Sequence, residues 1–70
     1  MKAKKFLVGY PNVNHRETGA AAREMLRGRG VKQVFVARHM QIDPAVLSQM
    51  LAGKRIWNAR KAELFLEALK

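Results

Sequence analysis

The sequence predicts an all-α fold of four to five short helices. Three observations predict it: helix-forming residues cluster at positions 20–26, apolar residues recur at helical spacing along positions 62–69, and a helix start and a helix stop bound residues 44–52. Apolar residues three or four positions apart let a helix bury one face. Seventy residues without cysteine allow one small core and no disulfide, so helix packing must stabilise the chain.

The chain is predicted to divide into a basic N-terminal arm or short strand, residues 1–14, and a helical domain, residues 15–70. The lysines of the first segment are Lys2, Lys4 and Lys5. Residues 6–8 are expected either to form a short strand, which could pair with a second copy, or to dock on the helices. Gly9 and Pro11 end any regular structure there.

The first helix is predicted to begin at Asn14 or Thr18 and to run to about Arg27, where Gly28-Arg29-Gly30 ends it. Its predicted buried stripe consists of Ala21 or Ala22, Met25 and Leu26.

Two short helices joined by a tight turn are predicted between Gln33 and Arg55. Asp43 can cap free backbone N–H groups and Pro44 tolerates the first helical position, so the second helix begins there. Gly53 ends it, because glycine accepts the left-handed conformation that closes a last turn. The residues expected to pack the two helices at a steep angle are Val36, Ala37, Met40, Ile42, Leu47 and Met50.

The polar side of the second helix is expected to face outward and to meet base edges in the major groove of DNA. The residues on that side are Pro44, Ala45, Ser48 and Gln49. Glutamine can pair bidentately with adenine, serine can bond several bases, and alanine can touch a thymine methyl.

The charge balance also predicts a nucleic-acid partner. Fourteen Lys and Arg against five acidic residues give a net charge of +9, which favours polyanions. The predicted phosphate contacts are Gln33, Lys54, Arg55, Arg38, Lys32 and Arg29. The basic arm could reach along DNA or be a frayed terminus, and both alternatives stay open.

A last helix, Ala59 to Leu69, is predicted after a cap at Asn58. Trp57 is expected to anchor it to the core rather than to stack on DNA, since buried aromatic side chains dominate small cores. The predicted buried stripe is Ala62, Phe65, Leu66 and Leu69, with Leu64 to the side and Glu63 and Glu67 outward.

The segment from Gln33 to Arg55 resembles the helix-turn-helix of the lambda-repressor and Cro-like family. That family typically has Gln at the first position of the unit, Ala at the fifth and apolar residues at the fourth, eighth, tenth, fifteenth and eighteenth. The matching residues here are Gln33, Ala37, Val36, Met40, Ile42, Leu47 and Met50, with Ser48 and the Gly53-Lys54-Arg55 tail also typical. The ninth position, usually Gly, is Gln41. With the flanking helices the resemblance covers roughly residues 15 to 69.

The resemblance implies a transcriptional regulator, most simply a repressor of a phage or mobile element. Such proteins bind double-stranded DNA as homodimers, and residues 44–52 would read a palindromic operator with half-sites about 34 Å apart. No cofactor, metal or small-molecule ligand is expected. No apolar run approaches the roughly 20 residues that span a bilayer, so we expect a soluble protein in the cytoplasm of a prokaryote or a phage-infected cell.

No catalytic constellation is evident. His15 and His39 are far apart in sequence, the five acidic residues are scattered and no glycine-rich phosphate loop occurs, so an enzyme is not expected. Two alternatives stay open. One is a non-specific RNA-binding or nucleoid-type protein; the other is a protein-interaction module on the same fold. The apolar residues of that second interface would be Val34, Phe35, Val46 and Leu51.

Overall fold

The computed structural model describes residues 5–70, which form helices and turns and, within that range, no strand. The helices are α1 His15–Arg29, α2 Gln33–Met40, α3 Pro44–Leu51 and α4 Ala59–Ala68. The predicted all-α class is therefore confirmed. A bilayer-crossing helix, which would have to be both longer and more apolar than these, does not occur among residues 5–70.

Three helices begin at side-chain caps. Asn14 Oδ1 accepts a backbone N–H at 3.0 Å, and the Oδ1 atoms of Asp43 and Asn58 each accept one at 2.8 Å. Each bond satisfies a backbone donor that the first turn of a helix leaves free. Of the two starts predicted for the first helix, Asn14 is the one used. Thr18 lies inside α1, fully buried, and its Oγ1 accepts the Val8 N–H at 3.1 Å.

Three helices end on a residue in the left-handed conformation. These residues are Gly30, Gln41 and Gly53, with φ of 65°, 59° and 78°. After each, the next backbone N–H returns to a carbonyl five residues earlier, the pattern of a Schellman motif. The first helix consequently continues to Arg29, two residues past its predicted end, because Gly28 stays helical and Gly30 makes the turn.

The core between α2 and α3 is formed by the residues predicted for it. Val36, Ala37, Leu47 and Met50 are fully buried, Met40 is 5 % exposed, and Ile42 packs half-buried against them. The buried residues of the first and last helices, α1 and α4, differ in detail from those predicted. Ala22 is buried and Ala21 and Met25 are only half-buried; in α4, Ala68 is buried in place of Leu66, while Glu63 is half-buried instead of fully outward.

The outer helices, α1 and α4, each pack against one helix of the central pair, α2 and α3. α1 packs against α3, α4 packs against α2, and α2 and α3 pack against each other. The α1–α3 contact is close at Gly19, where an added Cβ would meet the carbonyl oxygens of Met50 and Leu51, the latter at 2.7 Å. Only glycine lets the two backbones approach this far.

Residues 6–8 dock on the helices and do not form the alternative strand. The Phe6 ring lies 5.4 Å from Trp57 and 5.6 Å from Phe65 between centroids, and Leu7 is 2 % exposed. Trp57 is itself 1 % exposed and packs edge-on against Phe65, so the prediction that it anchors α4 is confirmed. Lys2 and Lys4, two of the basic residues predicted for an arm, lie outside the described residues.

Candidate nucleic-acid interface

Helix α3 has one buried side and one exposed side, divided as the sequence predicts. Leu47, Met50 and Leu51 lie in the core. The residues predicted to contact bases, Pro44, Ala45, Ser48 and Gln49, are all exposed, and Ala52 continues the same side at the helix end. Because the outward side chains are small or carry an amide or hydroxyl, α3 can approach a groove closely and offer hydrogen-bonding groups to base edges.

The C-terminal end of α3 is fixed by two hydrogen bonds centred on Trp57. The indole Nε1–H donates to the Met50 carbonyl oxygen at 2.9 Å, and the backbone N–H of Trp57 donates to His15 Nδ1 at 2.9 Å. One bond joins the aromatic cluster of Phe6, Trp57 and Phe65 to α3, and the other joins it to the first turn of α1. Nothing in the sequence near His15 indicates a partner 42 positions away.

Two predicted contact residues bond to each other. Arg55 Nε–H donates to Gln49 Oε1 at 2.6 Å, and both side chains are exposed. The Schellman turn after α3 brings them together, because the Lys54 N–H returns to the Gln49 carbonyl at 2.9 Å. Lys54 is exposed beside them, as the sequence predicts.

A second basic region lies at the start of α2. Lys32, the residue before α2, makes no side-chain capping bond within the described chain, so the first backbone N–H groups of α2 are without a side-chain acceptor. Beside them is an open cleft of about 500 Å³ with Leu26 and Val31 in its lining. The polar residues of its lining are Arg23, Arg27, Lys32 and Gln33.

Arg23 and Arg27 were not among the predicted contacts. They lie one helical turn apart on α1 and reach the cleft because the Gly30 turn directs the chain from α1 into α2. Arg27 also forms an exposed ion pair with Glu24 at 3.5 Å. Their spacing was visible in the sequence, but their place beside Gln33 depends on the angle between the two helices.

The other two predicted phosphate contacts differ in their surroundings. Arg29 donates from Nη1 to the Leu69 carbonyl oxygen at 3.1 Å, which satisfies a free acceptor at the C-terminal end of α4. Arg38 is exposed, and helical spacing places it with Val34 and Phe35 on the side of α2 opposite the core.

The interface of the protein-interaction alternative is only partly exposed. Val34 and Phe35 are 46 % and 57 % exposed, but Val46 is half-buried and Leu51 is 3 % exposed. Leu51 was therefore wrongly placed on an outer surface; it faces the core because it lies four residues after Leu47 on the buried side of α3.

Within residues 5–70, no three His, Asp or Glu side chains are grouped so as to hold a metal ion. Comparison of the chain with models of protein families, with curated proteins and with solved structures finds no match.

Proposed function

We propose that this protein is a sequence-specific, double-stranded-DNA-binding transcriptional regulator with a lambda-repressor-like helix-turn-helix. It binds and does not catalyse. Helix α3 and Ala52 after it, residues 44–52, enter the major groove, where Pro44, Ala45, Ser48 and Gln49 meet base edges. As in the family that residues 33–55 resemble, the protein would act as a homodimer on a palindromic operator, most simply as a repressor in a prokaryotic or phage-infected cell.

The observation that carries this proposal is the division of α3 into a fully buried and a fully outward side. Leu47 and Met50 are 0 % exposed, whereas Ser48 and Gln49, between them in sequence, are exposed. A surface helix that only covers a core would gain solubility from charged outward side chains, yet the outward side of α3 carries none from Pro44 to Ala52. Small uncharged polar side chains are what close contact with base edges requires.

Basic residues and an uncapped helix start support the proposal that the protein also contacts phosphates beside that groove. Lys54 and Arg55 follow α3 directly, and Lys32 and Gln33 lie at the uncapped start of α2, where backbone N–H groups favour an anion. Arg23 and Arg27 extend this second region onto α1. Contacts of this kind set the orientation of a protein on the duplex, while base contacts specify the site.

Selection of bound duplexes from a random pool at one salt concentration tests the proposal. We expect an enriched palindromic sequence that binds at least about 10³-fold more tightly than random duplex. The selected sequence also serves to measure stoichiometry: two chains per duplex are expected. Binding of every duplex with equal affinity, weakened alike by salt, would overturn the proposal in favour of the non-specific nucleic-acid-binding alternative.

A protein-interaction module is the second candidate, and the exposure of Val34 and Phe35 favours it. Exposed apolar side chains that adjoin on one helix are typical of a surface that another protein covers. Changing both to Gln would separate the candidates: DNA affinity is retained if α3 is the functional surface. A chain that binds no duplex at low salt would leave this second candidate in place of the first.

A further inference from the structure

We infer that Arg55 is a specificity-determining residue that orients the Gln49 side chain, so that the two together select guanine over adenine. This inference rests on the proposed function. Arg55 was predicted to contact a phosphate, which does not discriminate between base sequences. The inference makes it a positioning residue that acts through Gln49. The evidence is the side-chain hydrogen bond between them and the turn that places them side by side.

The turn explains why Arg55 reaches Gln49 at all. Gly53 has φ of 78°, a conformation that residues with a side chain rarely adopt. Its Cα is also pressed against α1, since an added Cβ would lie 2.6 Å from Arg16 Cα. The chain therefore has one tightly determined path out of α3, and that path returns Arg55 to the outward side of the helix.

The chemistry of the pair determines which amide atom faces which way. A guanidinium has N–H donors and no acceptor, so the Gln49 atom 2.6 Å from Arg55 Nε must be the carbonyl oxygen Oε1. The amide nitrogen Nε2, with two N–H donors, then takes the other position. The bond involves a charged donor, which makes it stronger than a bond between neutral groups.

An amide held in this way offers a different surface to DNA from a free one. A free glutamine pairs with adenine by accepting from N6 and donating to N7. In the oriented pair, Arg55 already occupies Oε1, and its positive charge opposes the approach of another donor there. What remains toward the groove is the Nε2 donors and the other guanidinium N–H groups. Guanine presents two adjacent acceptors, O6 and N7, and fits a surface made of donors.

The test compares two neighbouring variants that lose the same charge. Arg55→Ala and Lys54→Ala are each used, with the unchanged protein, to select duplexes from a random pool at one salt concentration. The Gln49 position is identified as the base pair whose preference disappears in Gln49→Ala. At that base pair the unchanged protein is expected to prefer guanine over adenine by at least about fivefold. Arg55→Ala should shift the preference toward adenine, and Lys54→Ala should only weaken binding to all duplexes.

A measurement on the free protein checks the bond without DNA. The Arg55 Nε–H signal in ¹⁵N NMR should shift in Gln49→Ala and stay in place in Ser48→Ala. Adenine preference in the unchanged protein, an unchanged preference in Arg55→Ala, or an Arg55 signal indifferent to Gln49 would each overturn the inference while leaving the proposed function standing. A pool in which the unchanged protein enriches no sequence would overturn the proposed function, and this inference with it.

Discussion

The buried indole N–H of Trp57 donates to the carbonyl oxygen of Met50 at 2.9 Å, and this bond ties the last turn of α3 to the aromatic cluster. The Trp57 ring also packs against the rings of Phe6 and Phe65, and the Trp57 backbone N–H donates to His15 Nδ1. The helix proposed to enter DNA is thus held by a residue that lies outside it and that does not face the solvent.

Changing Trp57 to Phe should lower the free energy of unfolding by about 2–4 kcal/mol. The phenyl ring removes the indole donor from the Met50 carbonyl, which keeps the Gly53 N–H at 3.1 Å, and it leaves part of the indole volume empty. Urea unfolding followed by far-ultraviolet circular dichroism measures the loss. The neighbouring Ile56→Ala is a control, since Ile56 is 63 % exposed and its loss should cost no more than about 0.5 kcal/mol. Equal effects of the two changes would contradict the role given to Trp57.

Gly19→Ala should destabilise the protein by about 1–3 kcal/mol, because the added methyl group would overlap the carbonyl oxygens of Met50 and Leu51. Gly28→Ala, in the same helix, has no atom within 4 Å of the added Cβ. There alanine should stabilise by about 0.5–1 kcal/mol through its higher helix propensity. The opposite signs, measured by urea unfolding of both variants, distinguish close helix packing from helix propensity; destabilisation by both would contradict this account.

Gln41→Gly should stabilise the protein by about 0.5–1 kcal/mol. Gln41 has φ of 59°, which costs a residue with a Cβ about 1–2 kcal/mol, and the greater backbone entropy that glycine loses on folding offsets about 0.5–1 kcal/mol of that gain. Gly30→Ala is the reverse change at an equivalent turn, with no atom near the added Cβ, and should destabilise by a similar amount. Thermal unfolding of both variants measures the pair. A lower melting temperature for Gln41→Gly would mean that the Gln41 side chain contributes more than its backbone costs.

Arg23→Gln and Arg27→Gln together should weaken binding to every duplex and make it less sensitive to salt. Each lost phosphate contact lowers the slope of log affinity against log salt by about 0.9. The double variant should therefore lose nearly two units of slope, while Lys70→Gln, which removes one charge from a residue that the proposal does not place in the interface, should change it little. An unchanged slope in the double variant would exclude the cleft beside α2 from the interface.

Local chemistry made much of this fold predictable. Asp43 and Asn58 cap helix starts, and Gly53 ends a helix. Each bonds or turns the backbone within a few positions, so its role could be assigned from neighbouring residues alone. The buried stripe of the helix-turn-helix followed from helical spacing in the same way. Gly28 shows the limit: a glycine can continue a helix or end one, and here Gly28 stays helical while Gly30 adopts the left-handed conformation that ends α1.

Contacts between distant parts of the chain were not predictable. Arg29 bonds to the Leu69 carbonyl, 40 residues away, and nothing in the sequence near either residue indicates the pair. The exposure of Ser48 and Gln49 could be anticipated from α3 alone, but the arrival of Arg55 at Gln49 depends on the conformation of one glycine. The composition of the outward surface could thus be inferred from sequence, and its hydrogen bonding could not.

On the proposed function, the outward side of α3 distinguishes one DNA sequence from another. The most direct measurement is the affinity of the double variant Ser48→Ala, Gln49→Ala for the selected duplex and for random duplex at one salt concentration. Each lost base contact is worth roughly 1–3 kcal/mol, so affinity for the selected duplex should fall by at least about thirtyfold while affinity for random duplex stays unchanged. Equal affinities for the variant and the unchanged protein on both duplexes would contradict the claim.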